Sequence, residues 1–198
     1  MSIEIKPVVL SGRVVRLEPL SVAHVPDLYQ FGKDKSIWEY MRYGQIRTQQ
    51  DMAIWVDELL SAQSAGTDLP FAVIYQDLNQ AIGSTRYLDI QPQNRSLEIG
   101  GTWYGTAYQR TAVNTECKYM LLRHAFEVLG CARVQFKTDV RNLRSQKALE
   151  RIGARQEGVL REHMVLPDGL LRSSVYYSIL QGEWPEVKIN LEGKLGWK

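Results

Sequence analysis

The feature that most narrows the folds open to this chain is a strand–helix–strand run across residues 96–138. "SLEIGGTWY" (96–104) and "ARVQFKT" (132–138) both read as strands, the second alternating Val134 and Phe136 with Arg133, Gln135 and Lys137. Between them a helical stretch places Cys117, Met120, Leu121, Ala125, Val128 and Leu129 on one face and stops at Gly130. Antiparallel neighbours can be joined by a tight turn, whereas two strands joined through a helix lie parallel as a crossover. The preceding strands, "FAVIYQ" (71–76) and "AIGSTRYL" (81–88), are separated by turn-rich "DLNQ" and "DIQPQNR", as antiparallel neighbours are. The prediction is an α/β (α+β) fold: a mixed, mostly antiparallel sheet of about seven strands with helices on both faces.

The rest of the chain supplies the other elements. A first strand is expected over residues 13–20, then a short helix around "VPDLYQFG". The segment "SIWEYMRYGQI" is rich in aromatics without clean periodicity. "TQQDMAIWVDELLSAQSAG" carries Met52, Trp55, Val56, Leu59 and Leu60 at helical spacing, with Thr48 as N-cap and Gly66 beyond the end. A helix "NLRSQKALERIG" ends at Gly153, and two long strands, "GVLREHMVL" and "LLRSSVYYSIL", flank the turn "PDG". A helix over about 185–195 closes the chain. With no repeat and no linker, residues 1–198 read as a single domain with a core over about 10–180.

Composition excludes several classes. The net charge is only +2 and no block of like charges appears, so no nucleic-acid partner is expected. No apolar run approaches the ~20 residues of a membrane helix, and "MSIEIKPVVLSG" lacks the basic leader and apolar stretch of a signal peptide. Cys117 and Cys131 make neither a metal spacing nor a disulfide framework, which suits a reducing compartment; a cytoplasmic protein is expected. His24, His124 and His163 are scattered, so no metal site and no triad is expected. His124, near the apolar face of the long helix, reads as structural, and Cys117 on that face as a buried thiol.

Between the strand ending at Tyr104 and the long helix stands "GTAYQRTAVNTE". A helix N-terminus offers unpaired N–H groups and partial positive charge, which suits phosphate. Arg110, Thr111, Asn114 and Thr115 add side-chain donors. From the residues alone, two readings stay open: a phosphate cradle, or plain helix capping by Thr111 or Asn114.

Three segments taken in order, "GRVVRLEPLSVAHVPDLYQF", "EIGGTWYGTAYQRTAVNTE" and "NLRSQKALERIGARQEGVLREHMVLPDGLLRSSVYYSI", resemble the GNAT superfamily of acetyl-CoA-dependent N-acetyltransferases. The closer likeness is to the branch of ribosomal-protein N-terminal acetyltransferases, the RimJ/RimL-like proteins, over about residues 10–180. That resemblance implies a GNAT-like sheet with one splayed parallel strand pair and acetyl-CoA as co-substrate. It implies that the backbone of Thr102, Trp103 and Tyr104 pairs with the pantetheine arm. The loop Gln109, Arg110, Thr111, Ala112, Val113, Asn114 and Thr115 would hold the pyrophosphate. Asn142 would bond the pantetheine end, and Ser145 would lie close to the sulfur. The loop between the first two helices would wall the acceptor site with Trp38, Tyr40 and Tyr43. The doublet Gly100-Gly101 fits a β-bulge that parts two strands.

Two departures stand out. Ala112 occupies the position where the family has glycine, which costs ~1–2 kcal/mol if φ there is positive and little otherwise. By count along the helix after Asn142, Leu149 replaces the family's tyrosine acid, leaving Ser145 or a water, with Tyr176 and Tyr177 as alternatives. The implied chemistry is direct attack of a primary amine on a thioester, which needs a base because an alkyl amine is protonated at neutral pH. Glu98, alternating with Leu97 and Ile99 just before the glycine doublet, is the candidate. The expected partner is the acceptor amine, a protein N-terminus or a small molecule, with the terminal hairpin as a surface for a homodimer. The competing expectation is a catalytically silent acyl-CoA sensor of the same fold.

Overall fold

The computed structural model describes residues 3–197. Eight strands form one sheet: β1 (Leu10–Ser11), β2 (Val15–Pro19), β3 (Leu69–Tyr75), β4 (Gln80–Gln91), β5 (Ser96–Tyr104), β6 (Arg133–Asp139), β7 (Arg155–Val165) and β8 (Leu171–Leu180), in the order β1-β2-β3-β4-β5-β6-β8-β7. The seven expected strands are all present; the eighth, β1, is a two-residue edge too short to leave a period in the sequence. Five α-helices cover the sheet: α1 (Val25–Gly32), α2 (Gln49–Ser64), α3 (Ala112–Arg123), α4 (Leu143–Arg151) and α5 (Trp184–Leu195). A π-helical turn, His124–Val128, extends α3 before Gly130 turns the chain at φ 71°.

The apolar run of β3 is buried on both faces, which explains its lack of alternation. Phe71 and Val73 point into the core formed with α3 and α5, while Ala72 and Ile74 point into a second core formed with α1 and α2. Thr48 caps α2 as its sequence position predicted: its Oγ1 accepts from the Asp51 N–H at 3.1 Å, and the Asp51 carboxylate accepts from the Thr48 N–H at 2.9 Å.

Every strand pair is antiparallel except β5 with β6. That pair holds for three positions only, Ser96 with Arg133, Leu97 with Val134 and Glu98 with Gln135, and then the strands part. On its other side β5 carries a bulge, where the register with β4 passes from Arg86–Gly100 to Ser84–Trp103. Gly101 sits in it at φ 56°, a conformation that glycine takes without strain. The bulge expected at the glycine doublet is therefore present, and it turns β5 away from β6.

One buried carboxylate ties α3 to the far edge of the sheet. Glu116, fully buried, accepts from the N–H groups of Arg13, Val14 and Val15 at 2.6, 2.8 and 2.7 Å. A Cβ on Gly12 would overlap that carboxylate. Glu116→Ala should therefore cost about 3 kcal/mol and lower the thermal midpoint by roughly 6–12 °C. An unchanged midpoint in a calorimetric scan would show the tether to be dispensable.

Candidate active site

A cleft of about 680 Å³ passes through the sheet where β5 and β6 part. Its walls come from both faces: the N-terminal ends of α3 and α4 on one side, and Ile37, Tyr40, Met41, Arg42 and Tyr43 on the other.

On the first face, the loop before α3 is built by three residues. Arg110 adopts φ 62°, Thr111 is the N-cap with its Oγ1 accepting from the Val113 N–H at 3.3 Å, and Ala112 opens the helix. The N–H groups of Arg110, Thr111, Ala112 and Asn114 have no acceptor among the described residues. Four cations line the same end: Arg110, Arg144, Lys147 and Arg151. Gln109 bridges the mouth, its Nε2 donating to the Tyr104 carbonyl at 3.1 Å and its Oε1 accepting from Arg144 at 2.8 Å. Asn142 caps α4, its Oδ1 accepting from the Ser145 N–H at 3.0 Å, which leaves its amide N–H groups as donors. Ser145 lines the cleft one turn further on.

At the centre, the β6-facing edge of β5 beyond Glu98 has no strand partner. Glu98 is 2% exposed and lines the cleft. Its Oε2 lies 3.4 Å from Lys137 Nζ and 3.4 Å from Gln135 Nε2. Burial pushes its carboxyl up against the opposing pull of Lys137. Lys118 reaches the cleft from α3, 5% exposed, its Nζ donating to Thr102 Oγ1 at 2.8 Å. Burial pushes Lys118 down to about 8.

On the second face, Tyr43 hydrogen-bonds Arg86 through its hydroxyl, and the Tyr40 carbonyl accepts from Arg172 Nη1 at 3.1 Å. The roof of the cleft is thus fastened to the sheet by two buried arginines.

The Acetyltransferase (GNAT) domain profile matches residues 15–155. The chain belongs to the GNAT acetyltransferase family. This acetyltransferase is 38% identical to a solved structure described as a putative acetyltransferase from T. thermophilus, with a TM-score of 0.88 and 97% of this chain and 99% of that one covered. It is 35% identical over 91 residues to "Putative ribosomal N-acetyltransferase YdaF" of Bacillus subtilis (strain 168), a match covering 46% of this chain and 49% of that relative, so about half the relative's length is spanned. Mycobacterium smegmatis RimJ in complex with CoA-disulfide superposes with a TM-score of 0.81 over 97% of this chain and 98% of that one; at 20% identity this likeness carries the fold alone.

The structure sorts the residues singled out from sequence. Thr102, Trp103, Tyr104, Gln109, Arg110, Thr111, Asn114, Asn142, Ser145, Glu98, Tyr40 and Tyr43 all line the cleft of this acetyltransferase. Ala112, Val113 and Thr115 do not: Val113 is buried in the core, and Thr115 accepts from Arg151 Nη2 at 2.8 Å. Trp38 also belongs elsewhere. It is 3% exposed, packed edge-on against Trp55 and tilted against Trp103, with its Nε1 donating to the Gly32 carbonyl at 2.6 Å. The sequence left core packing and a place in the cleft wall both open for Trp38, and the structure takes the first. Leu149 lines the cleft where the family's tyrosine was expected. Tyr176 lies beneath Lys137 and Tyr177 is fully buried against the Glu150 carboxylate, so neither reaches the cleft. Cys117 is fully buried and its thiol is pushed up to about 12 by burial.

Lys118, Arg86 and Arg172 were not anticipated. Lys118 sits in a helix buried from Thr115 to Leu122, so no exposed stripe marks it as special. Arg86 and Arg172 look like solvent-side residues of alternating strands, and only the covering loop buries them.

The glycine question at position 112 resolves through φ: the positive value falls on Arg110, and Ala112 is an ordinary first helical residue. Ala112→Gly should leave acetyl-CoA affinity within about twofold by calorimetry while lowering stability by ~0.5–1 kcal/mol; a large loss of affinity would show that the methyl group itself contacts the ligand. Lys118 gives a pH-dependent test. The folded state holds it near 8 while an unfolded lysine titrates at 10.5, so the unfolded chain binds more protons between those values. Stability relative to a Lys118→Met variant should therefore rise by on the order of 1–2 kcal/mol as urea unfolding is moved from about pH 7.5 to about pH 9.5. A flat difference would mean that Lys118 is solvated.

Proposed function

We propose that this chain moves an acetyl group from acetyl-CoA to a primary amine by direct attack. The observation that carries the reading is the cleft itself: a free strand edge beside a helix N-terminus, with a buried carboxylate at the point of divergence. The unpartnered N–H groups at the cleft-lining Arg110, Thr111 and Asn114, with Arg110, Arg144, Lys147 and Arg151, match a pyrophosphate. The unpaired edge of β5 matches an amide-containing arm that adds to it as a strand does. RimJ of M. smegmatis, of the same fold, is in complex with CoA-disulfide.

In this reading Glu98 takes the proton of the incoming ammonium, directly or through water, aided by a carboxyl that burial has pushed up toward neutrality. The amine nitrogen then bonds the thioester carbonyl carbon. N–H groups on the free edge of β5 near Trp103 receive the oxyanion; the C–S bond then breaks, and the second proton of the amine nitrogen passes, directly or through water, to the departing thiolate. This reading gives Ser145, which lines the cleft, the position near that sulfur. The likeness to YdaF, whose name is that of a ribosomal N-acetyltransferase, favours a protein N-terminal amine as acceptor, in a cytoplasmic setting consistent with two free buried cysteines. The edge strand β7 exposes Val159, Leu160 and Val165, and we assign that edge to a second copy of the chain.

A titration of the purified protein with acetyl-CoA, followed by thiol release over a panel of amines and peptides, tests this. Absence of binding overturns the cofactor reading. Binding without release on any acceptor favours an acyl-CoA sensor, the alternative supported by Leu149 where the family's tyrosine stands. Glu98→Gln should lower kcat by ~10²-fold or more and move the pH optimum upward, because the residual reaction depends on amine already deprotonated. Unchanged kinetics would remove Glu98 from the reaction.

A further inference from the structure

We propose that the acceptor amine of this acetyltransferase carries a carboxylate, held by Arg86 and Arg172. The proposal rests on the acyl-transfer reading above and names its acceptor class. Strand register puts the relevant side chains on one face of the sheet. Arg86 is opposite Gly100, two residues from Glu98; Glu98 is beside Gln135; and Lys137 and Asp139 are opposite Tyr176 and Ser174. Directly paired residues share a face, as do residues two apart, so Arg86, Glu98, Lys137 and Arg172 all project to the same side. Residues 40–43 roof that side, fastened to Arg172 through the Tyr40 carbonyl and to Arg86 through the Tyr43 hydroxyl.

Both arginines are unusual for residues that line a cleft. Arg86 is 3% exposed and Arg172 is 8% exposed, yet Arg86 Nε and Nη1 and Arg172 Nε donate to nothing among the described residues. Their nearest carboxylates are positioned for charge and not for hydrogen bonding: Asp68 Oδ2 lies 3.2 Å from Arg86 Nη1, and Asp139 Oδ2 lies 4.0 Å from Arg172 Nε. Asp139 is already engaged by Arg141, through Nε at 3.0 Å and Nη2 at 2.6 Å. Gly101 clears space for Arg86, since a Cβ there would meet Nε at 2.9 Å. The guanidinium therefore rests on the bulge of β5. Buried N–H donors without acceptors are costly, and a carboxylate oxygen is the acceptor whose charge matches a guanidinium.

Charge points the same way. Arg42, Arg86, Lys137 and Arg172 line this side of the cleft with one lining carboxylate, Glu98, which faces Lys137; Asp68 and Asp139 stand behind Arg86 and Arg172 and do not line the cleft. The phosphates of acetyl-CoA have their own cations at the α3–α4 end, so the second group is surplus to them. A polyamine or a strongly basic peptide would meet like charge here.

The test is thiol release by the wild-type protein with paired acceptors that differ by the one carboxylate: C-terminally amidated peptides beginning with Asp or Asn, and free alanine or its amide. The acidic member of at least one pair should be preferred by ~10-fold or more in kcat/KM, chiefly through KM. The pair that shows the preference identifies the source of the carboxylate, a peptide end or a free amino acid. Arg86→Gln and Arg172→Gln should each bring that ratio toward one; if either variant fails to fold, the wild-type ratio still decides. Ratios near one in both wild-type pairs, with other amines acetylated, would overturn the proposal and leave acyl transfer standing. Failure of acetyl-CoA to bind in a separate calorimetric titration would remove both.

Discussion

The parting of β5 from β6 after three paired residues is the constraint from which the rest of this site follows. A parallel pair that stays closed satisfies its own hydrogen bonds and leaves no room between its strands. Here the bulge at Gly101 bends β5 away, and the sheet acquires a gap with an unsatisfied strand edge along it. Buried backbone polar groups require partners, so the gap is chemically incomplete as it stands. An extended, amide-bearing ligand, as in the proposed function, has the groups to complete it. The helix that makes the crossover, α3, begins beside the same gap and brings its free N–H groups with it.

Burial then sets the chemistry of the charged groups. Glu98 and Lys118 reach the gap from opposite faces of the sheet, and low solvation pushes their protonation equilibria toward each other. A carboxylate and an ammonium drawn toward neutrality in this way suit proton exchange with an amine, whereas the same groups on the surface would stay charged. The second face differs in kind from the first. Its Arg86 and Arg172 are guanidiniums pinned under a loop, where the first face offers backbone N–H groups with exposed arginines and a lysine. In the proposed reaction this division gives the phosphates one side and the acceptor the other.

The sequence made the architecture legible because its signals were local and redundant. Alternation in "ARVQFKT", the Thr48 cap with Asp51 three residues on, and the doublet Gly100-Gly101 each reported a backbone requirement that the structure meets in place. The loop of residues 109–114 was legible for the same reason: its donors are main-chain groups, so Ala112 could replace glycine without removing them. Trp38 shows the opposite case. Nothing in "SIWEYMRYGQI" distinguishes the tryptophan that enters a core with Trp55 and Trp103 from the tyrosines that face the cleft, since which ring turns inward depends on helices elsewhere in the chain.

What the sequence determined by itself was the order of elements, the single parallel crossover and the family, because these rest on periodicity, turn chemistry and motifs within short windows. What only the tertiary structure decided was which charges are buried and whom they face. Arg86, Lys118 and Arg172 lie in three different elements, and each becomes significant only when a strand parts, a helix is covered on all sides, or a loop closes over it. Desolvation is a property of the assembled surroundings of a group, and no window of sequence contains them.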